Sequence, residues 1–97
     1  MKVKSFIIEN SGGNIFVAWG EFDNGTYFSI GSDLLMVFDE NEYMAMESDD
    51  FDGYTWEENH TINSYSYTCE EYLDVLKQLY KRTSIHSIDL FNEIEKD

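Results

Sequence analysis

Between Glu47 and His60 the chain reads ESDDFDGYTWEENH: six carboxylates, three aromatic rings and no lysine or arginine in fourteen residues. Carboxylates gathered around a glycine could coordinate a divalent cation, and the calcium loop of the EF-hand can be checked place by place. That loop needs oxygen ligands at its first, third, fifth and twelfth places and glycine at the sixth. With Gly53 sixth, Asp50 and Asp52 fall correctly at third and fifth. Ser48 is then first and Asn59 twelfth, so the bidentate glutamate is lost. The preceding YMAME reads as a strand, where an EF-hand needs an entering helix. The stretch fails as a metal motif. Asp49, Asp50 and Asp52 retain at most a loose affinity for a divalent ion, and no metal ligands are assigned.

The remaining reactive side chains form no catalytic set. Cys69 sits where a helix amino terminus could stabilise a thiolate, but Glu70 and Glu71 beside it oppose ionisation, and a structural cysteine is the simpler reading. His60 and His86 are the two imidazoles, and no spacing ties either to Cys69 or to a serine elbow of the G-x-S-x-G kind. NSGGN, residues 10–14, has glycines but neither the lysine nor the following helix of a phosphate loop; it reads as a hairpin turn. Carboxylate pairs are numerous enough to imitate a glycosidase dyad by chance. No catalytic residue and no cofactor are assigned.

Charge carries more information than any motif. Twenty acids against six bases give a formal charge of −14 over 97 residues. From Ser5 to Leu76 there is no lysine or arginine, yet sixteen of the acids lie there. Self-repulsion on this scale disfavours a compact state, and solubility asks only for a net charge of about 2 to 8 in a small domain. Direct binding of nucleic acid or of an anionic membrane is excluded as a function class, because each phosphate contact needs a cation. A single cysteine cannot form an internal disulfide, which agrees with a reducing compartment. The apolar run of MKVKSFIIEN stops at Glu9, far short of a signal-peptide core or membrane span. The expectation is a cytoplasmic protein, in which the sequons at Asn24 and Asn59 are accidental.

Any recognition surface must be positioned by one small domain, residues 1–97, with strands over about 2–67 and helices over about 69–82 and 87–96. KVKSFIIE ends at the NSGGN turn, and IFVAWGEF has apolar residues on both alternating sets, as a central strand does. DNG, residues 23–25, is a hairpin signal, and TYFSI returns. LLMVF and YMAME flank the polar DENE and read as a further hairpin, and TINSYSY as one last strand with Tyr65 and Tyr67 on one face. The period then changes. Thr68 and Glu71 fit a capping box, and Tyr72, Leu73, Leu76, Leu79 and Tyr80 form a helical stripe. SIDLFNEIEKD predicts a shorter helix, with Ser87 as cap and Ile88, Phe91 and Ile94 inward. The fold class is α+β: an antiparallel meander sheet of about five strands, followed by one long and one short C-terminal helix packed on one face. Proline is absent, so acids such as Glu9, Glu21 and Glu47 are expected to guard exposed strand edges. Unguarded edges, or the tyrosines of SYSY, could pair two copies.

What remains for the acidic stretch is recognition of a basic partner. An anionic field speeds encounter with a cationic surface, while tight hold usually needs buried aromatic anchors. Phe51, Tyr54 and Trp56 lie among the carboxylates and could supply them. The expected binding residues are Asp39, Glu40, Glu42, Asp49, Asp50, Asp52, Tyr54, Trp56, Glu57 and Glu58. In size, acidity and mixed plan the whole chain resembles bacterial toxin-immunity proteins of the contact-dependent growth inhibition and nuclease-bacteriocin kinds. That resemblance implies a non-enzymatic inhibitor that neutralises a basic nuclease toxin, an RNase in the first instance, by meeting the lysines and arginines that grip its nucleic acid. The alternative is a phage-encoded nucleic-acid mimic acting on a restriction or CRISPR effector. A mimic should spread its acids along an elongated face, and clustering over residues 39–58 with embedded aromatics favours the toxin inhibitor.

Overall fold

The computed structural model describes residues 1–46 and 63–95. Five strands, β1 (Val3–Gly12), β2 (Ile15–Phe22), β3 (Tyr27–Ile30), β4 (Leu34–Phe38) and β5 (Asn63–Ser66), form one antiparallel sheet in the order of the chain. Helix α1 (Glu40–Met46) lies between β4 and β5 in sequence. Helix α2 (Glu70–Arg82), a 3₁₀ turn (Asp89–Phe91) and the single-turn helix α3 (Asn92–Glu95) follow the sheet. The α+β meander with trailing helices expected from the sequence is the fold observed.

Local chemistry fixes the hairpins. Asn10 closes the first, accepting from Gly12 N–H at 2.7 Å and donating from Nδ2 to the Gly13 carbonyl at 2.9 Å. In the second, Gly25 adopts φ 86°, a conformation that costs glycine little. Phe22 N–H then reaches the Thr26 carbonyl at 2.8 Å. Within β1 the pairing shifts between Val3 and Ser5. The extra residue resets the alternation, so Val3 and Phe6, three apart, both meet the core.

One sheet face carries Val3, Phe6 and Ile8, then Ala18 and Phe22, Phe28 and Ile30, and Leu35 and Val37. Tyr72, Val75, Leu76 and Leu79 of α2 cover it with Leu90 and Phe91. Val75 and Leu90 join the core beyond the residues the periodicity picked out. Leu73, Tyr80, Ile88 and Ile94 pack at its margin. Each fully buried leucine or phenylalanine contributes roughly 1.5–3 kcal/mol.

Polar ties set the helix on the sheet. Tyr72 donates its hydroxyl to the Gly31 carbonyl at 2.6 Å, and burial pushes its pKa up to about 12. Replacing Tyr72 by Phe leaves that carbonyl without its donor, so we expect a loss of about 1–3 kcal/mol in denaturant unfolding with the fold retained. At the other end of α2, Gln78 accepts from Val3 N–H and donates to the Met1 carbonyl, both at 2.8 Å. Arg82 donates to the carbonyls of Val3 at 2.7 Å and Lys4 at 2.9 Å, with its guanidinium 5.3 Å from the Phe6 ring centre. These contacts cover the start of the edge strand β1, a task the sequence had suggested for acids. Glu9 does lie on that edge, whereas Glu21 is on the interior strand β2.

Four local expectations are corrected. Residues 43–46 are helical, so the partner of β4 is β5 and not a strand at Tyr43–Glu47. Helix α2 begins at Glu70 with Cys69 as its N-cap and no side-chain cap. Thr68 therefore falls one residue outside the helix, where its hydroxyl meets that of Ser66 at 3.0 Å, and the Thr68–Glu71 box does not form. Ser87 is likewise displaced as a cap by Ile88, while the Asp89 carboxylate accepts from Phe16 N–H at 2.9 Å and ties the 3₁₀ turn to β2. Tyr65 packs at the core margin on β5, but Tyr67 lies in the following turn and is exposed.

Candidate interaction surface

The junction of β4 and α1 explains two of the acids expected to bind a partner. Asp39 precedes the helix, and its Oδ1 accepts from Glu42 N–H at 2.8 Å while Glu42 Oε1 accepts from Asp39 N–H at 3.1 Å. This is a reciprocal capping box. Phe38, the residue before the cap, faces Tyr43, the fourth residue of the helix, with ring centres 6.2 Å apart. That contact is the hydrophobic staple that accompanies such boxes. The run FDENEY is thus a complete helix-start signal, and it overrides the strand reading of YMAME. Glu42 is only 9% exposed and has one buried carboxylate oxygen with no hydrogen-bond partner. Asp39 and Glu42 therefore serve the fold, and Glu40 remains exposed beside them. Asp39→Ala should cost about 0.5–2 kcal/mol and release the seven-residue α1. NMR should then show loss of helical shifts over 40–46 with the sheet signals unmoved.

Asp49, Asp50, Asp52, Tyr54, Trp56, Glu57 and Glu58 lie outside the described residues, as does the candidate calcium loop.

The sheet face away from α2 supplies residues that the sequence reading passed over. Strand pairing aligns Ile7, Trp19, Ser29, Met36 and Ser64 across it, and next to them Ser5, Glu21, Tyr27 and Phe38. Ile7 is 57% exposed, and Trp19 and Met36 are half-buried. Helix α1 covers only one corner, where Tyr43 stacks on Tyr27 with ring centres 4.3 Å apart and planes 15° from parallel. Between this stack and Trp19 runs a groove of about 280 Å³, with Ile7 and Glu21 in its walls. Burial, and then the negative charges of Glu21 and Glu40, raise the Tyr27 phenol above its ordinary pKa. The clue in the sequence was the second apolar set of IFVAWGEF. With Ala18 and Phe22 turned to the core, Val17 and Trp19 had to face the other way.

Two of the cations near the sheet, Lys4 and Arg82, are engaged within the chain. Among the described residues one ion pair forms, Lys4 Nζ to Glu21 Oε2 at 3.1 Å, with Lys4 63% exposed and Glu21 26%. Arg82 is held by β1 carbonyls. His86 Nε2 lies 3.0 Å from the Tyr80 carbonyl, its ring stacked on Tyr80, and Cys69 is half-buried at the start of α2. Among the described residues no three His, Cys, Asp or Glu side chains converge as metal ligands, and no helix is long and apolar enough to cross a membrane. Chemically, this surface can offer negative charge, aromatic faces and an apolar floor. Comparison with known proteins adds no relative: no family model, no curated protein and no solved structure matches the chain.

Proposed function

We propose that this protein is a cytoplasmic immunity protein, a stoichiometric inhibitor that binds and neutralises a basic nuclease toxin, an RNase in the first instance, and performs no chemistry of its own. The observation that carries this reading is an acidic chain of net charge −14 joined to an aromatic sheet face that the C-terminal helices leave uncovered. Negative charge would guide a cationic partner, and Trp19, Tyr27 and Tyr43 are the ring types that anchor interfaces. Glu40, exposed at the start of α1, and the acids of residues 47–58 would add to that negative field.

Capture on immobilised protein from lysate of the source strain, eluted with a salt gradient and identified by mass spectrometry, tests this. One basic nuclease fragment eluting at high salt is the expected result. A restriction or CRISPR effector in its place would move the assignment to a phage-type mimic, and no basic protein at all would end the inhibitor reading.

A further inference from the structure

We infer that the groove between Trp19 and the Tyr27–Tyr43 stack is a receptor for one arginine side chain of the basic partner, and that Lys4 occupies its carboxylate until the partner arrives. The inference rests on the reading of the chain as a binder of a basic protein and names the contact that would give that binding its specificity.

Three features of the groove select the occupant. Its walls include aromatic rings, Trp19 and the paired tyrosines Tyr27 and Tyr43, with the exposed Ile7 beside Trp19. Among the described residues its acidic wall residue is Glu21, which pairs across β2–β3 with Tyr27 of the same stack. A planar cation that stacks on rings while giving two parallel N–H donors to a carboxylate is a guanidinium. A lysine ammonium gains the charge but not the plane, and an apolar side chain gains the walls but no contact with the Glu21 carboxylate. At about 280 Å³ the groove has room for a guanidinium and its methylene stem.

The chain itself places a cation on this carboxylate. Lys4, the residue that the β1 register shift sets apart from the regular alternation, reaches Glu21 Oε2 at 3.1 Å while remaining 63% exposed. An exposed pair of this kind is weakly held, so a better-matched cation can displace it. Removing Lys4 should therefore tighten binding in the groove, whereas removing a lysine on the opposite side of the molecule should not. Lys77, exposed on α2, provides that comparison with the same change in charge.

The test is a ¹⁵N NMR titration of the whole protein with acetyl-Gly-Arg-Gly-amide, its lysine counterpart and its norleucine counterpart. The expected result is saturable movement of the Trp19 indole N–H and the Gly20 and Glu21 amides. The arginine peptide should bind about threefold more tightly than the lysine one, and the norleucine peptide should give no saturation. Glu21→Gln should abolish the response. Lys4→Ala should strengthen it about two- to fivefold, and Lys77→Ala should leave it within error. Equal responses to all three peptides would overturn the inference in favour of a plain apolar contact. So would equal gains from Lys4→Ala and Lys77→Ala, which would mean unspecific charge attraction. Movement of the same signals on raising protein concentration alone would assign the groove to a second copy of the chain. Failure of the groove and failure of the inhibitor reading separate cleanly. A nuclease still held by the Glu21→Gln protein with unchanged affinity sinks the groove only, and a selective arginine response with no nuclease captured sinks the inhibitor reading only.

Discussion

Gly20→Ala should lose about 3 kcal/mol or more of stability, the upper end of what overpacking a core costs. In a domain of this size that lowers the thermal midpoint by roughly 12–25 °C. A methyl group at Gly20 would meet the Ser5 carbonyl oxygen of the neighbouring strand and lie 2.5 Å from Cε1 of the Phe28 ring. Neither side can give. Ser5 is backbone within the β1–β2 ladder, and Phe28 is fully buried and stacked on Phe22 with ring centres 4.8 Å apart. Alanine is the better strand residue elsewhere, so a loss here isolates the steric effect. Gly31→Ala is the control, because its nearest neighbour would be a Val17 methyl at 3.7 Å; it should change stability by less than about 0.5 kcal/mol. Combining Gly20→Ala with Phe28→Leu should recover part of the loss, since leucine vacates the ring edge but leaves the carbonyl contact in place. Scanning calorimetry of the four proteins decides it, and a Gly20→Ala midpoint within a few degrees of the parent would contradict the packing described.

Reversing two charges in the acidic stretch, Asp50→Lys with Asp52→Lys, should slow association with the basic partner about tenfold at low ionic strength and by less than about twofold near 0.5 M salt. Each substitution adds two positive units, so the pair moves the net charge from −14 to −10. The effect depends on long-range field, which salt of about 0.1 M already confines to about 10 Å. Dissociation should change little, because rim charges act chiefly on the on-rate. Stopped-flow association across a salt series reads both quantities. An on-rate that is the same for both proteins at every salt concentration would remove steering from the account.

The sheet and the long helix were legible because their signals were local and agreed with one another. NSGGN and DNG closed the hairpins they marked, and the stripe from Tyr72 to Leu79 found the helix that covers Phe28 and Leu35. The error at Tyr43 came from reading YMAME by its apolar content, which suits either period, and overlooking FDENEY just before it. Once Asp39 and Glu42 satisfy each other's backbone N–H groups, the helix start is fixed whatever follows. The same oversight hid the capping role of both acids, because a carboxylate that caps a helix and one that meets a ligand look alike in composition. The aromatic groove was harder to see. Trp19, Tyr27 and Tyr43 lie on three different elements, and only the β2–β3 register and the fold-back of α1 bring them to one corner.

The most direct test of the inhibitor reading is RNA cleavage by the captured basic partner, titrated with this protein at partner concentrations well above the dissociation constant. The account predicts a linear fall in cleavage that reaches background at one equivalent. Cleavage that persists unchanged through a several-fold excess of bound protein would contradict it.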